Sequence, residues 1–272
     1  LPNFIGADQS DSHFSPKLGV VVKLSDKVRL FGNYATGFKA PEPGQINQFF
    51  ENLAYGYTSL PNPDLGPETS ESWEGGIRLN SGGFSLSGTA FKANFDDFIS
   101  QEVVGGSFTP QDPAQYQFIN IDQAEVWGIE AKAEYRATNG ITGRLAMAYA
   151  KGDQILPDGD TIPLATVDPF NLVFGLGYRD PGGNFGGEVI LTHHARKELD
   201  QTPTGYARPD AFTILDATAF VRIADMLTLR AGVFNITDEK YAYWSDVIGL
   251  STISDAYTRP GRNTSVSASF RF

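Results

Sequence analysis

The sequence predicts an all-β chain, a transmembrane antiparallel up-and-down β-barrel, from three observations. The chain closes on Ser265-Val266-Ser267-Ala268-Ser269-Phe270-Arg271-Phe272, which alternates polar and apolar residues up to a final aromatic. Successive side chains of a strand point to opposite faces, so Val266, Ala268, Phe270 and Phe272 share one side and Ser265, Ser267, Ser269 and Arg271 the other. That strand alone also fits the edge of a soluble sandwich. The second observation separates the two. Between Trp127 and Arg136, Trp127, Ile129, Ala131, Ala133 and Tyr135 share one face while Glu130, Lys132, Glu134 and Arg136 share the other. A narrow soluble barrel fills its interior with apolar side chains; charge inside and apolar groups outside means a wet lumen with lipid around it. Third, the alternating runs are joined by connections that are alternately short and long, the rhythm of an outer-membrane meander.

The elements follow in order. A first run from Phe14 to Leu24 places Leu18, Val20, Val22 and Leu24 on one face, and Ser25-Asp26-Lys27 turns it into a second, Val28 to Phe38. Residues 39–69 read as a large irregular loop holding five of the sixteen prolines. Trp73, Gly75, Ile77 and Leu79 mark a third strand, Ser81-Gly82-Gly83 a tight turn, and Phe84, Leu86, Gly88 and Ala90 a fourth. A medium loop over 105–116 leads to the fifth, the charged-lumen strand above. Thr138-Asn139-Gly140 turns into a sixth near Ile141 to Ala150, Pro181-Gly182-Gly183-Asn184 joins the seventh and eighth, and Ala224-Asp225-Met226 joins the ninth and tenth. The tight turns share one end. The long connections, 39–69, 105–116, 152–168, 198–210 and 245–257, share the other, which in such barrels faces outside.

Composition excludes other classes. Aromatics form 12% of the 272 residues and charged residues 19%, so this is not a disordered chain. No run of about eighteen apolar residues exists to make a spanning helix, and a mean hydropathy of -0.23 conceals barrel strands, whose signal is weak. Zero Cys removes disulfides and thiolate metal sites. A net charge of -11 argues against nucleic acid as partner. With no metal-spaced His pair or phosphate-cradling Gly loop, an enzyme is not expected; a rim constellation of Asp200, His194 and Ser245 is the nearest approach to one. The sequons at Asn235 and Asn263 read as chance matches in a bacterial protein.

About eleven strands is an odd number, and bacterial single-chain barrels are even. Eleven is half of the 22 strands of the plugged outer-membrane transporters, so residues 1–272 read as the C-terminal half of one barrel, with an N-terminal plug and the first half of the barrel outside the chain. A passive porin would be complete and open. An isolated half barrel, with two unpaired edges that lipid cannot satisfy, is not expected to fold by itself.

The run Phe234-Asn235-Ile236-Thr237-Asp238-Glu239-Lys240-Tyr241, then Arg259-Pro260-Gly261-Arg262 and a final aromatic strand, resembles the end of the TonB-dependent outer-membrane receptors, and the resemblance covers nearly the whole chain. Tyr34-Ala35-Thr36-Gly37-Phe38-Lys39-Ala40-Pro41 and Asn62-Pro63-Asp64-Leu65 resemble the paired FRAP and NPNL boxes of the haem and haemoglobin receptors. Trp244-Ser245-Asp246-Val247 and Asp255-Ala256-Tyr257 resemble that subgroup's last external loop. The resemblance implies a receptor in the bacterial outer membrane that takes up haem, bare or stripped from a haemoprotein. The drive comes from the TonB complex, engaged through the N-terminal part. Haem would be a transported ligand rather than a permanent cofactor, and lipid the surrounding partner; a ferric-siderophore receptor is the alternative.

In the subgroup a loop His between the boxes is associated with haem binding, yet residues 42–61 contain none. Tyr55 and Tyr57 lie there instead, and a phenolate is an axial ligand for ferric haem iron. Phe49 and Phe50 stack on a porphyrin or pack the loop. The box residues Phe38, Ala40, Pro41, Asn62, Pro63 and Leu65 flank the loop, and Pro41, Pro43, Gly44, Pro61 and Pro63 restrict its ends. Of the histidines, His13 carries no weight by position, parity puts His193 with Val189 and Leu191 toward lipid, and His194 faces the lumen with Glu188 and Thr192. His194 is a third candidate for iron or a solvated lumen residue.

Overall fold

The computed structural model describes residues 6–7, 10, 12–156, 158–224 and 226–271. Fourteen strands and two short helices follow in order: β1 (Lys17–Lys23), β2 (Val28–Lys39), α1 (Pro43–Asn47), β3 (Phe50–Asn52), β4 (Tyr57–Leu60), β5 (Glu68–Ser81), β6 (Phe84–Gly105), β7 (Ala114–Arg136), β8 (Ile141–Ile155), β9 (Thr161–Pro163), β10 (Asn171–Arg179), β11 (Phe185–His194), β12 (Phe212–Ile223), β13 (Leu227–Phe234), α2 (Trp244–Val247) and β14 (Asn263–Phe270).

Eleven of the strands form a continuous sheet in the order β1-β2-β5-β6-β7-β8-β10-β11-β12-β13-β14. Sequence neighbours pair antiparallel throughout, from Lys17 opposite Ala35 at one side to Leu227 opposite Phe270 at the other. The expected meander of eleven strands is therefore present. Among the described residues β1 and β14 are the edges of an open sheet, exposed along their whole length. Phe272 and Asp225, assigned to the last strand and to one tight turn, lie outside the described residues.

Boundaries differ from expectation. The first strand starts at Lys17 rather than Phe14, and the third at Glu68, five residues before Trp73. The loop over residues 39–69 is not irregular, since it contains α1, β3 and β4. The largest difference is in β6 and β7, which run 22 and 23 residues where β10 and β11 run 9 and 10. A tilted strand crosses a bilayer in about 9–11 residues, so β10 and β11 have membrane length and β6 and β7 do not.

Register places the outer interface. Trp73 lies opposite Lys92, Lys92 opposite Trp127, and Trp127 opposite Lys151, while Tyr34 opposite Trp73 adds a ring contact at 4.4 Å. Aromatic rings with lysines among them match the girdle at a headgroup level, where amphipathic side chains keep their polar tips in water. The inner girdle sits at Phe84 opposite Tyr135 and at Tyr178 against Phe185, ring centroids 5.8 Å apart. Trp127 and Tyr135 are eight residues apart, roughly 26 Å along a strand and about 20 Å of height at a tilt of about 40°, comparable to an apolar band of about 25 Å. On the opposite face Arg144 and Glu188 pair at 2.5 Å and Arg179 lies over the Phe220 ring at 5.6 Å, so the lumen side is charged as expected.

Candidate functional site

The 13 residues of β7 from Ala114 to Val126 lie beyond the outer girdle, roughly 40 Å of strand. Of these, Gln115 to Val126 pair with β6 from Gly105 back to Ala93, forming an arm that projects past the membrane. Loop 40–67 is fastened to this arm. Its strand β4 pairs with β3 and then, in parallel, with β7, Tyr57 opposite Ala114 and Leu60 opposite Gln117.

The two boxes are the fastening. Asn62 donates from its side-chain amide to the Phe118 carbonyl at 2.7 Å and from its backbone to the Ile46 carbonyl at 2.8 Å. Its Oδ1 accepts the Asp64 N–H, an Asx turn that carries the chain through Pro63. Gly66 and the Asn120 side chain exchange two hydrogen bonds of 2.7 and 2.9 Å. Leu65, with 0% of its surface exposed, packs with Ile46 and Ile99, bordered by Ala7 and Phe118. Glu68 closes the base, its carboxylate accepting the Ile99 N–H at 3.0 Å and pairing with Lys39 at 3.4 Å. Leu65, Asn62 and the buried Pro41 thus hold the loop in place, while Ala40 and Pro63 are exposed beside them.

The loop presents its aromatics at the far end. Phe49 and Phe50 are exposed, and rings run from Phe50 to Tyr57, from Tyr57 to Tyr116 and from Tyr116 to Phe108 at centroid spacings of 5.9, 6.3 and 6.4 Å. Tyr57 also accepts a hydrogen bond from the Asn52 amide at 3.2 Å. Tyr55 ends a 3-10 turn and is 79% exposed, its phenol open to solvent. Gly56 follows at φ 70°, and a Cβ there would lie 2.6 Å from the Phe108 carbonyl oxygen, so only glycine lets the loop close on the arm.

His194 stands apart from those tyrosines, on β11, three strands further along the sheet from β7. It stacks on Phe212 at 5.1 Å and meets Tyr243 edge-on at 4.8 Å, in an aromatic cluster that also holds Tyr241. His193 bonds to Thr213 at 2.8 Å. His13, given no weight by its position, stacks on Phe38 of the first box at 5.2 Å with the rings 2° from parallel. A signal for this was available: a turn centred on Asp26 returns residue 13 to the level of residue 39. Among the described residues no hydrogen bond joins the rim constellation: Asp200 pairs with Lys151 at 2.9 Å, His194 sits in its aromatic cluster and Ser245 lies in α2. The Lys151 hydrogen bond holds the Asp200 carboxyl below the usual carboxylate range.

The last external loop is stapled at its root. Asn235, 3% exposed at φ 50°, donates to the Glu239 and Pro260 carbonyls at 2.8 and 3.4 Å and accepts the Glu239 N–H at 2.9 Å. The Asp238 carboxylate accepts the Arg262 N–H at 2.7 Å. The Asn235-Ile236-Thr237-Asp238 run and the Arg259-Pro260-Gly261-Arg262 run are therefore one structural unit. Above it Arg259 makes a two-bond fork to Asp246, at 2.8 and 2.6 Å. Lys197, 2% exposed, donates to the Val167 carbonyl and lies 5.0 Å from the Trp244 ring centroid, and Trp244 donates to the Ala165 carbonyl at 2.6 Å. Burial pushes the Lys197 ammonium below the usual lysine range, with Asp168 and Asp153 opposing the shift. One buried cation thereby joins the loops that follow β8, β11 and β13.

The family model described as TonB dependent receptor-like, beta-barrel matches residues 2–236. The chain is 31% identical to Hemoglobin-binding protein A of Haemophilus influenzae, an alignment covering 90% of this chain and 28% of that protein. It is 27% identical to Hemoglobin-haptoglobin utilization protein B of Neisseria meningitidis serogroup A, over 89% of this chain and 34% of that one. The chain spans about a third of the length of these curated relatives. Among solved structures, the siderophore receptor PirA from Acinetobacter baumannii superposes with a TM-score of 0.73 over 97% of this chain and 41% of that chain, at 20% identity, a likeness of fold alone. With the charged-lumen meander and its girdles, the family match places this chain in the outer membrane: it belongs to the β-barrel of the TonB-dependent receptors.

Proposed function

We propose that the chain is the C-terminal half of the barrel of a receptor that binds haem, free or carried by haemoglobin, and imports it with energy from the TonB complex. The observation that carries this reading is the loop between the two boxes, held rigid at its base while Tyr55, Phe49 and Phe50 are presented at its end. An aromatic surface with a free phenol suits a flat, apolar, iron-bearing ligand. Two relatives, one named for haemoglobin binding and the other for haemoglobin-haptoglobin utilization, support the same substrate class. His13 against Phe38 adds an imidazole at the first box, and His194 remains a separate, more enclosed candidate.

The test is a spectrum. The full receptor in detergent, titrated with hemin, is expected to shift the Soret band saturably. Tyr55→Phe is expected to diminish that shift and lower affinity about tenfold, the loss of one coordinate bond partly replaced by other contacts. Unchanged spectra in Tyr55→Phe, Tyr57→Phe and the double variant would remove both phenols from the site and turn attention to His13 and His194.

A further inference from the structure

We propose that the β6–β7 arm, with the end of loop 40–67 fastened to it, docks a folded haem-carrying protein that itself presents a lysine- and arginine-rich patch around an apolar spot. This rests on the reading of the receptor as one for haem, and it assigns the arm to the carrier rather than to haem itself.

Charge distribution is the first support. Residues 40–67 contain Glu42, Glu51 and Asp64, and residues 93–126 contain Asp96, Asp97, Glu102, Asp112, Asp122 and Glu125; neither segment contains Lys, Arg or His. Glu125 pairs with Lys92 at 2.7 Å, down at the girdle. The exposed carboxylates of Glu42, Glu51, Asp64, Asp96, Asp97 and Asp112 have no salt bridge among the described residues. The last external loop differs: Lys240 pairs with Asp255 at 2.5 Å, and Arg259 with Asp246 at 2.6 Å. An arm that carries acids and no bases attracts a basic protein surface and accelerates encounter.

The arm's end is the second support. Phe108 is 59% exposed at its tip, with Val103 and Val104 beside it and Leu53 and Tyr55 exposed on the loop fastened there. Phe108 is also held at φ 58°, a conformation that favours Gly or Asn over a bulky side chain and costs about 1 kcal/mol. A loop chosen only for stability would have a smaller residue there. Aromatic side chains exposed on a firm support are frequent anchors of protein interfaces. The roughly 40 Å of β7 beyond the girdle carries this anchor clear of the headgroups, where a partner too large for the lumen can reach it.

The test uses the full receptor, with haemoglobin as probe and hemin in parallel. Phe108→Asn, which relieves the backbone, is expected to lower haemoglobin affinity at least tenfold while thermal stability does not fall and hemin affinity changes by much less than haemoglobin affinity. Glu51→Gln with Asp97→Asn is expected to slow association several-fold and flatten its salt dependence, and haemoglobin with acetylated lysines is expected to bind the unaltered receptor no better than it binds the double variant. Equal haemoglobin binding by every variant overturns the inference, as does a receptor that binds hemin but not haemoglobin. Haemoglobin binding that Phe108→Asn abolishes, in a receptor indifferent to free hemin, upholds the docking arm and fails the proposed small-ligand site instead.

Discussion

Asn235→Ala is expected to release the last external loop while the strands stay paired. The substitution leaves a residue with a Cβ at φ 50°, where Asn is tolerated and Ala costs about 1 kcal/mol. It also removes the amide that donates to the Glu239 and Pro260 carbonyls and accepts from the Glu239 N–H in a nearly closed environment. Stranding those backbone groups adds about 2 kcal/mol or more, for a total of roughly 3–4 kcal/mol. Because cleavage of a loop follows the population of its open form, limited proteolysis of the full receptor should show cutting between 239 and 260 that is faster by a factor of roughly 100–1,000. Asn235→Gly separates the two terms: it accepts the positive φ, so it should recover about 1 kcal/mol and leave the hydrogen-bond loss. Resistance equal to the unaltered receptor in both variants would show that the loop is held elsewhere, by Arg259 and Lys197.

Leu65→Ala is expected to unfasten loop 40–67 from the arm. Leu65 has no exposed surface and joins Ile46 from α1 to Ile99 of β6, so truncation leaves a cavity between loop and arm at a cost of about 3 kcal/mol. The loop's ordering would then have to occur on binding, so hemin affinity should fall while the position of the bound Soret band is unchanged. That pairing of outcomes distinguishes a residue that positions the site from one that touches iron. Leu65→Met preserves volume and should cost less than about 1.5 kcal/mol, recovering most of the affinity. An Ala variant with both protease resistance and affinity intact would place the fastening in the Asn62 and Asn120 hydrogen bonds instead.

The eleven strands were legible because lipid outside and water inside impose a period of two on every segment that crosses. Trp127 to Arg136 shows that period without interruption, and the tight turns at 81–83 and 138–140 carry the glycines that hairpins need. Beyond the girdle the imposition ends. Phe95 to Gly105 and Ala114 to Val126 lie beyond the lipid, so no apolar medium enforces alternation and only cross-strand pairing marks them as strands. Parallel pairing of β4 with β7 joins segments nearly sixty residues apart and leaves no local pattern. The boxes were legible as motifs but not as to role: Leu65 and Asn62 stood beside the ligand loop in sequence and serve as its anchorage in space. Asn235 appeared as a sequon and as part of a family run, and its work as a staple depends on Glu239 and Pro260 coming together. Lys197 had no signal, since its burial arises from loops after three different strands.

The central claim is that the loop between the boxes serves a haem receptor. Its most direct test is titration of the full receptor in detergent with hemin and with a panel of ferric siderophores, following absorbance and tryptophan quenching. Of this chain's tryptophans, Trp73 and Trp127 lie at the outer girdle and Trp244 in the last external loop, all towards the outer mouth. Saturable hemin binding with a shifted Soret band, and no competition from the chelates, is the predicted result. Saturable siderophore binding by a receptor indifferent to hemin would contradict the account, leaving the barrel and its arm in place and replacing the substrate.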